Sequence, residues 1–301
     1  MATTIKTVAL AGASGNLGAP ILKSLTDAGL TVTVLTRPGS SSTYPSGVKT
    51  TEIDYDNTES LTAALKDQDA LVCAVGFTAF LSQEKLIDAA IASGVKRVLP
   101  SEYGTDPDVA SVRQLPAFGH KVQVEQYLKK KIQGTSTTYT LVCCNEFFDW
   151  DLDNNFGVDI KAKKMEIFDG GDVPFTATPL EFVARGVAGV LQHPAETANR
   201  VVRLHGTSMT QNKLLQIIQR YTGKDGWVTP QVSTVEREKQ GYEILSTDPS
   251  NMFGWVMPFL QCSIWSKKYG GDFSKNNDNE LLGLRELSDA EIDEIVRTRA
   301  S

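Results

Sequence analysis

The chain has 301 residues, 41% of them hydrophobic and 22% charged, with 30 Lys and Arg against 36 Asp and Glu for a formal net charge of −6. This is the composition of a soluble globular protein with one large or two modest domains; it holds no basic cluster of the kind nucleic acid requires and no apolar run near the ~20 residues of a bilayer span. The four cysteines, Cys73, Cys143, Cys144 and Cys262, include no C-x-x-C pair, and the three histidines are scattered. The expectation is therefore reduced thiols, no metal site, and a cytoplasmic protein, monomer or homodimer, that binds neither nucleic acid nor membrane.

The first half of the chain alternates. Apolar Val8–Ala13 is too short for a signal peptide and runs into a Gly-rich turn. "KTVALAG" (6–12) reads as a buried strand, and residues 16–29 as a helix with Leu17, Ile21, Leu25 and Ala28 on one face and Gly29 as its stop. "TVTVLTR" (31–37) is a strand, and "VKTTEIDY" another. Asp56 and Glu59 make a capping-box-like start for the next helix. "ALVCAVG" (70–76) has the continuous apolar character of an inner parallel strand. Ser82 caps "QEKLIDAAIASG", "KRVLPSEYG" (96–104) is a strand with its exit loop, a helix spans about Phe118 to Ile132, and "TYTLVCC" (138–144) is a strand. Such alternation predicts an α/β, Rossmann-like doubly wound parallel sheet.

The second half is loop-rich and aromatic. Helices are expected from Leu180, from Thr210 as cap to Gly223 as stop, and from a capping box at Ser288 and Glu291; "NRVVRLHG" reads as a strand. The expected organisation is a dinucleotide-binding domain over 1–146 and a smaller, less regular substrate domain over 147–301, with part of 177–205 returning to the first.

Between the first strand and the first helix lies "GASGNLG". Gly12 permits the tight turn, Gly15 lets the backbone approach a pyrophosphate, and Gly18 allows close helix–strand packing. With Ser14, Asn16 and Leu17 they form the candidate phosphate cradle at a helix N-terminus. The second strand ends in Thr36 and Arg37, where NAD-binding sequences place an acid for the ribose 2′-hydroxyl. A guanidinium there favours a 2′-phosphate, with Ser40, Ser41 and Ser42 as further donors, so the expected cofactor is NADPH.

"GHKVQVEQYLKKK" (119–131) offers two kinds of lysine. Tyr127 and Lys131 have the spacing of the Tyr-Lys pair in short-chain dehydrogenases. At about 100° per residue, however, Leu128 and Ile132 fall within roughly 20° of Lys121, whereas Tyr127 falls about 120° off that stripe. Lys121 is thus placed inward, and Tyr127 and Lys131 outward as bystanders.

"GASGNLG", "LTRP", "KRVLPSEYGTD", "FGHK" and "TYTLVCCNEF" together resemble the atypical short-chain dehydrogenases that group isoflavone, pinoresinol–lariciresinol and phenylcoumaran benzylic ether reductases with NmrA-like proteins. The resemblance is close over the first half and loose beyond it. Tyr103 replaces the family's Phe, and "TPLEFVARG" differs from the plant reductases. It implies that Lys121 is the catalytic residue, exchanging a proton with a phenol, carbonyl or enol oxygen while NADPH supplies hydride to a small aromatic or phenolic, secondary-metabolite-like substrate. Val75, Gly76, Phe77, Asn145 and Phe147, at strand C-termini, join Lys121 as expected cofactor contacts. Tyr103, His120, Phe148, Trp150, Met252, Phe253 and Trp255, with Phe259, are candidates for an aromatic substrate pocket. Two other readings share the fold: an NmrA-type redox sensor that binds NAD(P) and a protein partner, and an isomerase that uses bound nicotinamide without net turnover. Lys121 and the "LTRP" strand end favour the reductase over the sensor.

Overall fold

A computed structural model of the chain describes residues 4–300. In chain order its elements begin β1 (Thr7–Ala11), α1 (Gly18–Asp27), β2 (Thr31–Thr36), β3 (Lys49–Glu52), α2 (Thr58–Leu65), β4 (Ala70–Cys73), α3 (Gln83–Ala92), β5 (Arg97–Leu99), α4 (Ala110–Arg113), α5 (Gly119–Lys131) and β6 (Thr138–Cys143). They continue α6 (Phe148–Asp153), β7 (Val158–Asp159), β8 (Lys164–Met165), β9 (Ile167–Phe168), β10 (Phe175–Ala177), α7 (Leu180–Gln192), β11 (Arg200–Arg203), β12 (Thr207–Met209), α8 (Gln211–Thr222), β13 (Gln231–Val232), α9 (Thr234–Thr247), α10 (Met252–Trp265) and α11 (Asp289–Ala300).

Seven strands form one sheet in the order β11-β6-β5-β4-β1-β2-β3, with every pairing parallel. The Rossmann-like fold expected from the alternating pattern is therefore present. Side chains of β1 alternate between two apolar layers. Val8 and Leu10 meet Ile21, Leu25, Val183 and Val187 of α1 and α7; Ala9 and Ala11 meet Leu61, Leu86 and Leu128 of α2, α3 and α5. Two-sided burial explains why the inner strands are continuously apolar, and each fully buried Leu or Val contributes about 1.5–3 kcal/mol. The chain runs outward through β1, β2 and β3, then crosses back to β4. That reversal opens the crevice between β1 and β4 at the strand C-termini, where open α/β sheets bind ligands.

α7 and β11 lie well beyond Asn145 in sequence, yet α7 covers one face of the sheet and β11 pairs with β6. Arg97, only 1% exposed, fastens this return. Its guanidinium donates to the hydroxyls of Thr138, Thr140 and Thr197 and to the carbonyl of Pro194, which compensates the burial of its charge. The remaining elements form a cap of short two-stranded pieces and helices whose core joins Phe148, Phe168, Phe175, Ile217 and Trp265.

Local signals were obeyed unevenly. Thr210 accepts from the Lys213 amide, Gly223 ends α8 at φ 75°, and Ser288 and Glu291 cap each other. α2 is capped by Asn57, which accepts from the Ser60 amide, not by Asp56, whose carboxylate instead meets Lys85 at 2.5 Å. Ser82 does not cap α3 either: a 3-10 turn over Phe77–Ser82 leads straight into that helix, and the Ser82 hydroxyl donates back to Ala79.

Candidate active site

The turn after β1 separates its three glycines by what each lacks room for. Gly12 has φ 85°, and a Cβ on it would lie 2.3 Å from the Ala74 oxygen; one on Gly18 would lie 2.0 Å from the Gly12 oxygen. The protein's own backbone forbids both side chains. Gly15 has no such demand, since its Cβ would come no closer than 3.3 Å to any atom, and it is exposed together with Ser14 and Asn16, beside half-buried Leu17. Gly15 is therefore the glycine whose missing side chain leaves space for something outside the chain. At the start of α1 the Ala19 and Ile21 amides donate to the Gly15 and Leu17 carbonyls and Pro20 has no N–H, so the amides left beside that space without a backbone acceptor among the described residues are those of Asn16, Leu17 and Gly18. The cradle fits a pyrophosphate.

At the end of β2, Arg37 is exposed; its carbonyl accepts from the Ser40 amide, while its guanidinium, among the described residues, makes no hydrogen bond or ion pair, and Tyr55 is the neighbour that feels its charge. After β4, the Val75 carbonyl accepts from the Ser101 hydroxyl at 2.8 Å, which latches this loop to the one after β5. Gly76 is exposed with open space around its α-carbon, and half-buried Phe77 follows. After β6, Asn145 takes φ 56°, its amide nitrogen donates to the Thr176 carbonyl, and its side-chain oxygen is buried without a partner. The residues present at the crevice thus fit a dinucleotide: a glycine cradle, an uncommitted guanidinium, and an unpaired buried amide oxygen.

Lys121 sits in the first turn of α5. Its ammonium donates to the Glu102 carbonyl and lies 3.5 Å from that of Tyr103, with the Phe80 and Phe118 rings 5.7 and 5.8 Å away. The receiving loop is held rigid from the other side, where Arg203 of β11 grips Asp106 with two bonds, of 2.7 and 3.1 Å. Burial pushes the Glu102 carboxyl up to about 7, against the pull of the nearby Lys121 charge. Glu125, one turn along from Lys121, does not pair with it; Arg113 and Lys129 take that carboxylate. Tyr127 and Lys131 both bind Asp88 of α3, at 2.6 and 2.9 Å, and neither lines the crevice.

Beside Lys121 opens a cleft of about 290 Å³. Of the residues expected from sequence, it brings together Phe77, Tyr103, Lys121, Asn145, Phe147, Trp150, Met252 and Phe253. Phe148 stands elsewhere, 1% exposed in the cap core. The reason is helical phase: α6 starts there, so Phe147, Trp150 and Asp151 share the cleft-facing side while Phe148 and Leu152 face the core. Phe259 is likewise core. His120 is exposed and Trp255 half-buried; their rings lie 5.8 and 6.5 Å from Phe77, outside the cleft lining. The sequence reading missed Phe80, Thr105, Glu146, Asp151, Phe156, Met257 and Leu260, all in the cleft wall. A helical phase assigned to 147–153 would have found Asp151.

Comparison with known proteins agrees with this geometry. The NmrA-like family model matches residues 4–235. "Oxidoreductase poxI" of Penicillium oxalicum is 34% identical over 293 residues, covering 94% of this chain and 91% of that one. Among solved structures, isoflavone reductase superposes with a TM-score of 0.78 at 23% identity, covering 98% and 99% of the two chains. "AtPrR2 with NADP+ and (+)pinoresinol" gives 0.70 at 22% identity, covering 99% and 100%.

Proposed function

The chain belongs to the NmrA-like family, and from that premise we propose that it is an NADPH-dependent reductase acting on a small aromatic substrate, with Lys121 moving the proton that accompanies hydride transfer. Oxidoreductase chemistry rests on the family and on the 34% identical oxidoreductase; the cofactor is supported by the NADP+ held by a structural neighbour and by the crevice itself. NADPH, when bound, supplies hydride. The chain's own residues do the rest. Gly15 and the start of α1 receive the pyrophosphate, Arg37 pairs with the 2′-phosphate, and Val75, Gly76, Phe77, Asn145 and Phe147 border the cofactor on the way to the cleft. Phe80, Phe118, Trp150 and Phe253 exclude water and flank a planar ring. Lys121 donates to the substrate oxygen that gains charge, and recovers its proton from solvent.

The observation that carries this reading is the placement of Lys121. Its ammonium is the one basic side chain in the cleft lining among the described residues, whereas Tyr127 and Lys131 are committed to Asp88. The test begins with a panel of aromatic ketones, enones and benzylic ethers, followed by loss of NADPH absorbance. On any substrate found, Lys121→Ala should lower kcat by roughly 10²–10⁴, the usual worth of a positioned acid or base. Lys121→Arg should not restore it, because a guanidinium keeps its proton. Unchanged turnover in Lys121→Ala would overturn the assignment. If NADPH binds and nothing in the panel turns over, the redox-sensor reading takes its place.

A further inference from the structure

The wall of the cleft contributed by α6 and the end of β6 holds two acids that the mechanism does not use. Glu146 is 4% exposed and Asp151 7% exposed, and both line the cleft. Among the described residues the Glu146 side chain has no hydrogen bond or ion pair and one of its oxygens is fully buried without a partner, whereas the Asp151 carboxyl is met only by the backbone N–H of Phe147. Lys121, the cation of the same cleft, is occupied by the carbonyls of Glu102 and Tyr103. A buried charge or polar group without a partner is costly, and this cost is repeated nearby. The Tyr103 hydroxyl, the Thr105 hydroxyl and the Asn145 side-chain oxygen are each more than nine-tenths buried, unpaired, and in the lining of the same cleft. These are the unpaired polar atoms of an otherwise mostly apolar wall.

We propose that Glu146 and Asp151 form a cation-accepting wall of the cleft, so that the preferred substrate is an aromatic compound that also carries a basic nitrogen, bound as its ammonium form.

A cation fits better than a neutral hydroxyl for three reasons. The acids are close enough for the Glu146 charge to raise the Asp151 carboxyl, so one ammonium with more than one N–H donor can engage both, whereas a hydroxyl donates once. Phe147, Trp150 and Phe156 line the same cleft, and aromatic rings attract cations. Without a cation, burial keeps the pair protonated: it pushes Glu146 up to about 8 and Asp151 well above its usual range. Binding an ammonium then releases a proton from the pair to solvent, leaving a carboxylate against the cation. Behind the pair lies a void of about 10 Å³ that also faces the unpaired indole N–H of Trp265. That is about the size of one water, which can satisfy one carboxyl oxygen on the inner side.

The proposal rests on the reductase reading only in calling this ligand a substrate, so binding is measured without turnover. The full-length protein, loaded with NADP+, is titrated calorimetrically with benzylamine, which at neutral pH is an ammonium with three N–H donors, and with its neutral isostere ethylbenzene. The amine should bind roughly 10- to 100-fold more tightly, the range of a charge-assisted contact. Glu146→Gln and Asp151→Asn should each reduce that ratio, and the double variant should bring it near one while NADP+ affinity stays at the parent value. If the double variant does not fold, the two single variants decide. Equal affinities in the parent, or a preference that survives both substitutions, would overturn the proposal and leave the reductase reading standing. An amine preference lost in the variants, with no turnover on the panel even when it is extended to aromatic ketones and enones that carry a basic amine, would uphold the cation wall and remove the reductase reading.

Discussion

The phosphate turn and the substrate cleft are built by opposite means. In the turn, every decisive contact lies between β1, α1 and the end of β4: Gly15 donates to Gly12, and Gly12 and Gly18 are required by the Ala74 and Gly12 oxygens. In the cap, contacts reach across the chain. Arg299 holds Asp153 from 146 residues away, and the cleft joins α6 to α10. A site built locally can be dissected one residue at a time. A site built from distant segments shares its energy among many partners, so single changes in the two regions should have different consequences.

The largest expected effect breaks the turn. Gly15→Val should remove detectable binding of NADPH and NADH alike and leave the far-UV spectrum unchanged with at most a small loss of Tm, because the new Cβ meets only the Gly12 oxygen closely, at 3.3 Å, a tight contact that a shift of a few tenths of an ångström relieves. Gly18→Val should instead damage the fold, since its Cβ would lie 2.0 Å from the Gly12 oxygen. Cofactor binding that survived in folded Gly15→Val would mean that this loop is only a tight turn. Next comes Arg37, the uncommitted guanidinium. Arg37→Ala should weaken NADPH binding by roughly 1.5–3 kcal/mol, the value of a hydrogen bond to a charged group, with little change for NADH. Calorimetry that finds NADH and NADPH equal in the parent would contradict the 2′-phosphate role.

How much of this was legible follows the same division. The sheet was readable because two-sided burial writes continuous apolar runs such as "TVALA" and "TYTLVC", and because glycine requirements in a βα turn are local. The phase of α5 was readable for the same reason and placed Lys121 inward; Tyr127, expected on the solvated surface, instead packs its half-buried ring against the core under α3 and α5 while its hydroxyl reaches Asp88. Residues 147–150 were read as a strand exit without a period, so Phe148 was assigned to the pocket and Asp151 went unnoticed. The Asn57 cap was missed because Asp56, an equally good capping residue, stands next to it and is drawn off by Lys85. The helical phase of 147–153 would have set Asp151 beside Phe147, but nothing local marks that side as a cleft wall, since that requires α10 to close over it.

A smaller effect separates the cap from the turn by pH. Glu146 is raised by burial from 4.5 to about 8 in the folded protein. A carboxyl whose folded pKa is raised holds its proton more tightly in the native state, so its contribution to stability is intact below about 4.5 and is lost as pH rises toward about 8. Glu146→Gln removes the ionisation and keeps the shape. The parent should therefore lose Tm relative to this variant as pH is taken from 5 to 8.5. Parallel Tm curves for the two proteins would show that the carboxyl ionises freely and that this wall is wetter than its burial indicates.

The smallest expected effect lies outside both regions and sharpens the contrast between them. Tyr127 and Lys131 have the spacing of a dehydrogenase pair, but their polar atoms meet on Asp88 of α3, on the side of α5 away from the cleft. Tyr127→Phe removes one hydrogen bond of 2.6 Å from a half-exposed ring. A single hydrogen bond contributes about 0.5–1.5 kcal/mol, and at a solvent-accessible position water can replace it. Neither the post-β5 loop that receives Lys121 nor the cleft wall touches Asp88, so the substitution has no route to the reacting atoms through a contact. Turnover in Tyr127→Phe and in Lys131→Ala should therefore stay within about twofold of the parent, measured on the same substrate and under the same conditions that expose the Lys121→Ala defect. A dead Tyr127→Phe beside an active Lys121→Ala would move the chemistry to the α3–α5 surface, and with it the whole distinction between a local cofactor turn and a cleft assembled at long range.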